Sequence, residues 1–150
     1  MPRLFCFGLG FSAITFARRM QQQGWQVAGT CRSEDKAEVL RTEGIDVHLF
    51  GDAPLADPAQ TLAGTTHLLA SVPPGDDGDP VVGTHGKDIQ TISGLEWIGY
   101  LSTTGVYGDR KGGYVNETSM LLPSTERGKK RVTAELVWQD LAAAMNVPLH

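Results

Sequence analysis

Leu4-Phe5-Cys6-Phe7-Gly8-Leu9-Gly10-Phe11-Ser12-Ala13 sets an uninterrupted apolar run against a turn punctuated by glycine. An apolar run of this kind before glycine predicts a strand buried on both faces, as in a parallel sheet. A helix is predicted directly after it. From Ser12 to Gln23, Ile14, Ala17 and Met20 recur at near-helical spacing, while Arg18, Arg19 and Gln22 take the other side. Gly24 offers the C-terminal stop.

Working outward, Trp25 to Thr30 predicts a second strand. Ser33 is a good N-cap, and Glu34 and Asp35 place negative charge in the first turn of a helix that runs through Val39 and Leu40 and stops near Gly44. Ile45 to Phe50 and Thr66 to Val72 predict a third and a fourth strand. Pro73 to Gly86 reads as a mobile loop, with Asp76, Asp77 and Asp79 as solvated punctuation, followed by a short helix near Lys87 to Ile92. Leu95 to Ser102 predicts a fifth strand, and Gly105 to Pro123 an irregular, glycine-rich stretch. Thr125 to Met145 predicts a long helix whose apolar side is Val132, Leu136, Val137, Leu141 and Met145, and Val147 to His150 reads as a sixth strand just begun. Strand and helix alternate from the first residue, which predicts an α/β protein with parallel strands and right-handed crossovers. The expected fold is a Rossmann-type doubly wound parallel sheet over residues 1–150, truncated at the start of its sixth strand.

Bulk composition narrows the partners. The formal net charge of −4 argues against nucleic acid, whose phosphates call for a surplus of Lys and Arg. No apolar run reaches the length of a membrane span, and the short run before Gly8 does not make a signal peptide, so a cytoplasmic protein is expected. Cys6 and Cys31 form no Cys-x-x-Cys pair and are expected as reduced, partly buried thiols. His48, His67, His85 and His150 lack metal-ligand spacing, and no metal is assigned.

The turn Gly8-x-Gly10-x-x-Ala13 has a physical reading at each small residue. Gly8 lets the chain turn tightly, Gly10 lets the backbone approach a pyrophosphate, and Ala13 lets the helix pack close to the strand. Phe11, Ser12 and Ala13 open the helix, where free N–H groups and the positive end of the helix dipole favour an anion. The pattern therefore predicts a dinucleotide site. NAD binders often carry an acid at the end of the second strand for the ribose 2′-hydroxyl. Here Thr30 is followed by Cys31-Arg32-Ser33, with no acid before Glu34. Arg32, assisted by Lys36, suits a 2′-phosphate and points to NADP over NAD; the alternative is a plain surface charge. Asp52, after the third strand, is placed to accept from the adenine amino group or simply to form a turn.

Leu101-Ser102-Thr103-Thr104-Gly105-Val106-Tyr107-Gly108 resembles the SSxxVYG segment of extended short-chain dehydrogenases, the NAD-dependent epimerase/dehydratase family. Glu117, Pro123, Arg127-Gly128-Lys129-Lys130-Arg131 and Ala134-Glu135 continue the likeness, where the family shows an acid, a proline, a Tyr-Gly-x-Ser-Lys block and an Ala-x-x-Glu. An atypical bacterial branch of the family is the nearest in pattern. The resemblance implies that Thr103 holds a substrate oxygen and that the proton-carrying Tyr and its Lys fall at Arg127 and Arg131. Arginine stays charged, with a pKa above ~12, and is no ordinary general acid or base. Four residues apart on one helix face, Arg127 and Arg131 are expected to present fixed positive charge to the cleft, holding cofactor phosphates or an anionic substrate; the alternative is a solvated basic stripe. Tyr107 is the nearest phenol and a secondary catalytic candidate, whereas Tyr100 is expected to pack inside its strand.

The resulting expectation is an NAD(P)-dependent oxidoreductase or epimerase-like protein acting on a small anionic metabolite or sugar nucleotide. A non-catalytic NADP(H)-binding sensor, or a truncated relative without activity, stands beside it. A Rossmann domain without a C-terminal substrate-binding portion is the expectation, and an uncovered sheet edge would favour a homo-oligomer.

Overall fold

The computed structural model describes residues 1–150. Five parallel strands form one sheet: β1 (Arg3–Phe7), β2 (Gln26–Cys31), β3 (Asp46–Leu49), β4 (His67–Ala70) and β5 (Trp97–Tyr100), in the spatial order β3-β2-β1-β4-β5. The chain is a Rossmann-type doubly wound α/β fold, as the alternation predicts. α1 (Phe11–Gln22) and α2 (Glu34–Thr42) lie on one face; α3 (Pro58–Leu62), α4 (Pro80–Gln90) and α5 (Glu126–Met145) lie on the other. Beyond β5, Leu149 pairs in parallel with Ile98, and the Tyr100 N–H donates to the His150 carbonyl at 2.8 Å. The expected sixth strand is therefore present as a single bridge.

Strand alternation builds two cores. Phe5, Phe7, Ala28, Leu68, Ala70 and Ile98 face α3, α4 and α5; Leu4, Cys6, Val27, Cys31, Val47 and Leu69 face α1 and α2. The central strand β1 is fully buried from Leu4 to Phe7, which explains why its sequence shows no polar alternation. The strand order reverses between β1 and β4, opening a crevice at their C-terminal ends, where open α/β sheets bind ligands.

Three expectations need correction. The segment read as a mobile loop from Pro73 to Gly86 is a loop only as far as Asp79, because α4 begins at Pro80 and continues to Gln90 in place of the short helix expected from Lys87. Asp79 is not solvated: it is buried, its Oδ1 caps α4 by accepting from the Val81 and Val82 amides, and its Oδ2 accepts from Trp138 Nε1 at 3.0 Å. The buried side of α5 is Gly128, Arg131, Ala134, Trp138, Leu141 and Ala142, whereas Leu136 is half exposed. The Gly105–Pro123 stretch is irregular, as expected, apart from the end of a 3-10 turn at Thr104–Tyr107. One helix, α3, was not foreseen; Asp57 caps it and Pro58 occupies its first turn. His85 ties α4 to the loop after β3. Its Nε2 accepts the Leu55 amide at 3.1 Å and its Nδ1–H donates to Asp88 at 2.8 Å, so both ring nitrogens are engaged.

Candidate functional site

The glycine turn is held from three sides. Gly8 sits at φ +88°, and a Cβ there would stand 2.8 Å from Ser71 Oγ, so only glycine lets the end of β1 fold against the end of β4. The Gly8 amide donates to Thr30 Oγ1 at 2.8 Å, and the Leu9 amide to the Thr30 carbonyl at 2.7 Å. Thr30 is buried, and both its oxygens hold the turn in shape. The Ser71 hydroxyl donates to the Gly8 carbonyl, and Lys36 Nζ donates to the Leu9 carbonyl at 2.6 Å. No local signal in the sequence marks Ser71 for this role.

With the turn fixed, the start of α1 is left open. Gly10 is the N-cap and offers no side chain to the helix, and the amides of Phe11, Ser12 and Ala13 have no acceptor within the protein. The Phe11 and Ser12 side chains are exposed, while Ala13 is fully buried between helix and sheet. A Cβ on Gly10 would meet nothing within 4 Å. A cleft of about 490 Å³ spans the C-terminal ends of β1 to β4, bordered by residues 8–10, 30–33, 50–51 and 71–73 and by Lys36. Unpaired amides at a helix start, a bare glycine before them and a roomy crevice together fit a diphosphate. Arg32 borders the cleft, and its Nη2 lies 3.4 Å from Asp52 Oδ1 with both side chains well exposed.

A second group of residues gathers at the end of β5, and none of them borders that cleft. Thr103 is half-buried and caps the 3-10 turn, its Oγ1 accepting from the Gly105 amide at 3.3 Å. Gly128 packs α5 against this turn so closely that a Cβ would stand 2.7 Å from the Gly105 carbonyl oxygen. The Ser102 hydroxyl donates to the Glu135 carboxylate, a link that the sequence did not suggest.

The two arginines of α5 do not act alike. Arg131 is buried: its Nη1 donates to the Leu101 carbonyl at 2.6 Å, its guanidinium lies over the Tyr100 ring at 5.7 Å, and its Nε has no partner. Arg127 is exposed and makes no ion pair, while Lys129 and Lys130 are paired with Glu126 and Asp76. Tyr100 packs, as expected, against Trp138; burial pushes its phenol up to about 12, opposed in part by Arg131. It therefore holds its proton at neutral pH. Tyr107 is half-buried, and its carbonyl accepts from Arg110 Nε.

No family model matches the chain. It is 30% identical over 145 residues to Protein YeeZ of Escherichia coli (strain K12), a match covering 91% of this chain and 52% of that protein. Among solved structures, it superposes on a functionally unknown conserved protein from Silicibacter pomeroyi DSS with a TM-score of 0.84 and 41% identity, over 100% of this chain and 51% of the other. It also superposes on UDP-glucuronic acid 4-epimerase from Bacillus cereus, solved in complex with UDP-glucuronic acid and NAD, with a TM-score of 0.77 and 16% identity, over 98% of this chain and 54% of that one. The last likeness establishes a shared fold. The chain spans about half the length of each of these three proteins.

Proposed function

We propose that this chain binds a nicotinamide dinucleotide at the glycine turn, NADP(H) in preference to NAD(H), as part of an oxidoreductase or epimerase-like protein acting on an anionic metabolite or sugar nucleotide. The observation that carries the reading is the row of unpaired amides at Phe11, Ser12 and Ala13, directly after a bare Gly10 that itself borders the switch-point crevice. Arg32, at the end of β2 where an NAD binder often carries an acid, supports the 2′-phosphate. The B. cereus epimerase that shares the fold was solved with NAD.

When bound, the nicotinamide supplies hydride chemistry. In this reading, backbone amides 11–13 hold the diphosphate, Arg32 holds the ribose phosphate and the Thr103 hydroxyl orients a substrate oxygen. Arg127, exposed and unpaired, attracts an anionic group, and Arg131 fixes the end of β5. A non-catalytic NADP(H) sensor is favoured by a specific observation: the helix position that carries the proton in the resembled family holds Arg127, whose guanidinium stays charged.

Calorimetric titration with NADPH and NADH tests the binding. The expected result is tighter NADPH, with binding by either cofactor abolished in Gly10→Val. That variant should melt at the wild-type temperature, because its side chain points into open space. Tighter NADH overturns the preference; no binding by either cofactor overturns the reading.

A further inference from the structure

The placement of Arg32 depends on its neighbours after β3. Gly51 lies against the arginine stem: a Cβ there would stand 3.0 Å from Arg32 Cγ and 3.2 Å from Nε. The stem therefore rests flat on the backbone that follows β3, and the guanidinium reaches the Asp52 carboxylate. In this pose Arg32 borders two clefts, the one of about 490 Å³ at the glycine turn and another of about 570 Å³ in front of β3. The other cation at the glycine turn, Lys36, is committed to the Leu9 carbonyl.

Resting on the NADP(H) reading above, we infer that Asp52 is a specificity-determining residue that opposes the 2′-phosphate. Its carboxylate competes for one nitrogen of the guanidinium that a phosphate would use and sets a negative charge beside that group. A neutral ribose 2′-hydroxyl meets no such penalty, since a hydroxyl donates to a carboxylate. Arg32 and Asp52 thus pull cofactor choice in opposite directions. The balance is adjustable because the pair is loose: 3.4 Å is long for a charge-assisted bond, which runs nearer ~2.8 Å, and both partners are exposed.

The experiment compares NADPH and NADH affinities of the wild type, Asp52→Asn and Arg32→Ala by calorimetry at low ionic strength. Asp52→Asn should raise the NADPH-to-NADH affinity ratio about three- to tenfold, the size expected for removing one charge near a dianion in a water-like dielectric, and salt should shrink the gain. Arg32→Ala should lower the ratio. Both sites are solvent-facing, so the variants should melt with the wild type. An unchanged ratio in Asp52→Asn overturns the inference, and equal loss of both cofactors assigns Asp52 to an adenine contact instead. A wild type that prefers NADH but gains NADPH in Asp52→Asn retains this inference while refuting the cofactor preference. No binding of either cofactor ends both.

Discussion

At the scale of single residues, burial decides the chemistry of two groups that solvent would leave ordinary. Cys6 lies in the central strand, fully buried, and desolvation of its thiolate pushes the thiol up to about 12. Thiolate is the reactive form, so Cys6 should be inert in the native protein. In a Cys31→Ser variant, a chromogenic disulfide reagent at pH 8 is expected to label no thiol in buffer and one in urea; prompt native labelling would contradict the buried strand. Asp79 is held between opposing effects. Burial raises its carboxyl above the ordinary 3.8, and hydrogen bonds from Val82, Trp138 and Val81, with Arg131 nearby, pull it down without cancelling the rise. The native state therefore binds this proton more tightly than the unfolded chain does. The contribution of Asp79 is complete below the unfolded value and declines as pH climbs through the raised native one. Against an Asp79→Asn reference, wild-type stability in urea should fall as pH rises above 3.8. A relative stability that rises instead would mean that the hydrogen bonds outweigh burial.

At the scale of elements, α5 shows how one contact fixes a site. Replacing Gly128 by Ala improves helix propensity by about 1 kcal/mol but forces a methyl to within 2.7 Å of the Gly105 carbonyl oxygen, and overpacking of this kind costs about 1–3 kcal/mol. The obstruction is backbone and cannot swing aside, so Gly128→Ala should destabilise by up to about 2 kcal/mol in denaturant unfolding. A stabilised variant would show that α5 and the 3-10 turn are not in contact. The same helix marks where reading from sequence ran out. β1, α1, β2 and α2 were legible because their signals are local: an apolar run, a glycine turn, and a Ser33 cap that accepts from the Lys36 amide. The face of α5 was misread because a buried arginine stacks on Tyr100 while Leu136 faces solvent, and only the packing of α5 on β5 decides which side turns inward. α3, at five residues, is too short to show a period. The start of α4 was available in Asp79-Pro80, a cap followed by the proline that suits a first turn, but the surrounding glycines and aspartates spoke for a loop. Within the candidate site, the glycine turn was readable. The approach of Arg32 to Asp52, twenty residues apart in sequence, follows from the pairing of β2 with β3 and has no local signature.

At the scale of the whole molecule, the cleft belongs to the sheet rather than to any one loop. Its borders come from the C-terminal ends of β1, β2, β3 and β4, and β1 lies between β2 and β4, its residues Leu4 to Phe7 fully buried. A ligand seated there touches the element that cannot open without unfolding the sheet, so it binds the folded state and not the unfolded chain. Linkage then sets the size of the response: at a free concentration one hundred times Kd, stability rises by about 2.7 kcal/mol. For a domain of this length each kcal/mol moves the melting temperature by about 2–4 °C, so NADPH at that concentration should raise it by roughly 5–10 °C. Inorganic pyrophosphate, which can use the α1 amides but lacks the ribose 2′-phosphate and the adenine, should raise it less. Gly10→Val should show no rise with either ligand, because a side chain on this cleft-bordering residue would take up room that a diphosphate needs. The NADPH shift should shrink as salt is added, since Arg32 is exposed and screened. A melting temperature that stays flat while calorimetry reports saturation would place the bound cofactor somewhere other than this crevice, and an equal shift from pyrophosphate would reduce the site to a simple anion cradle.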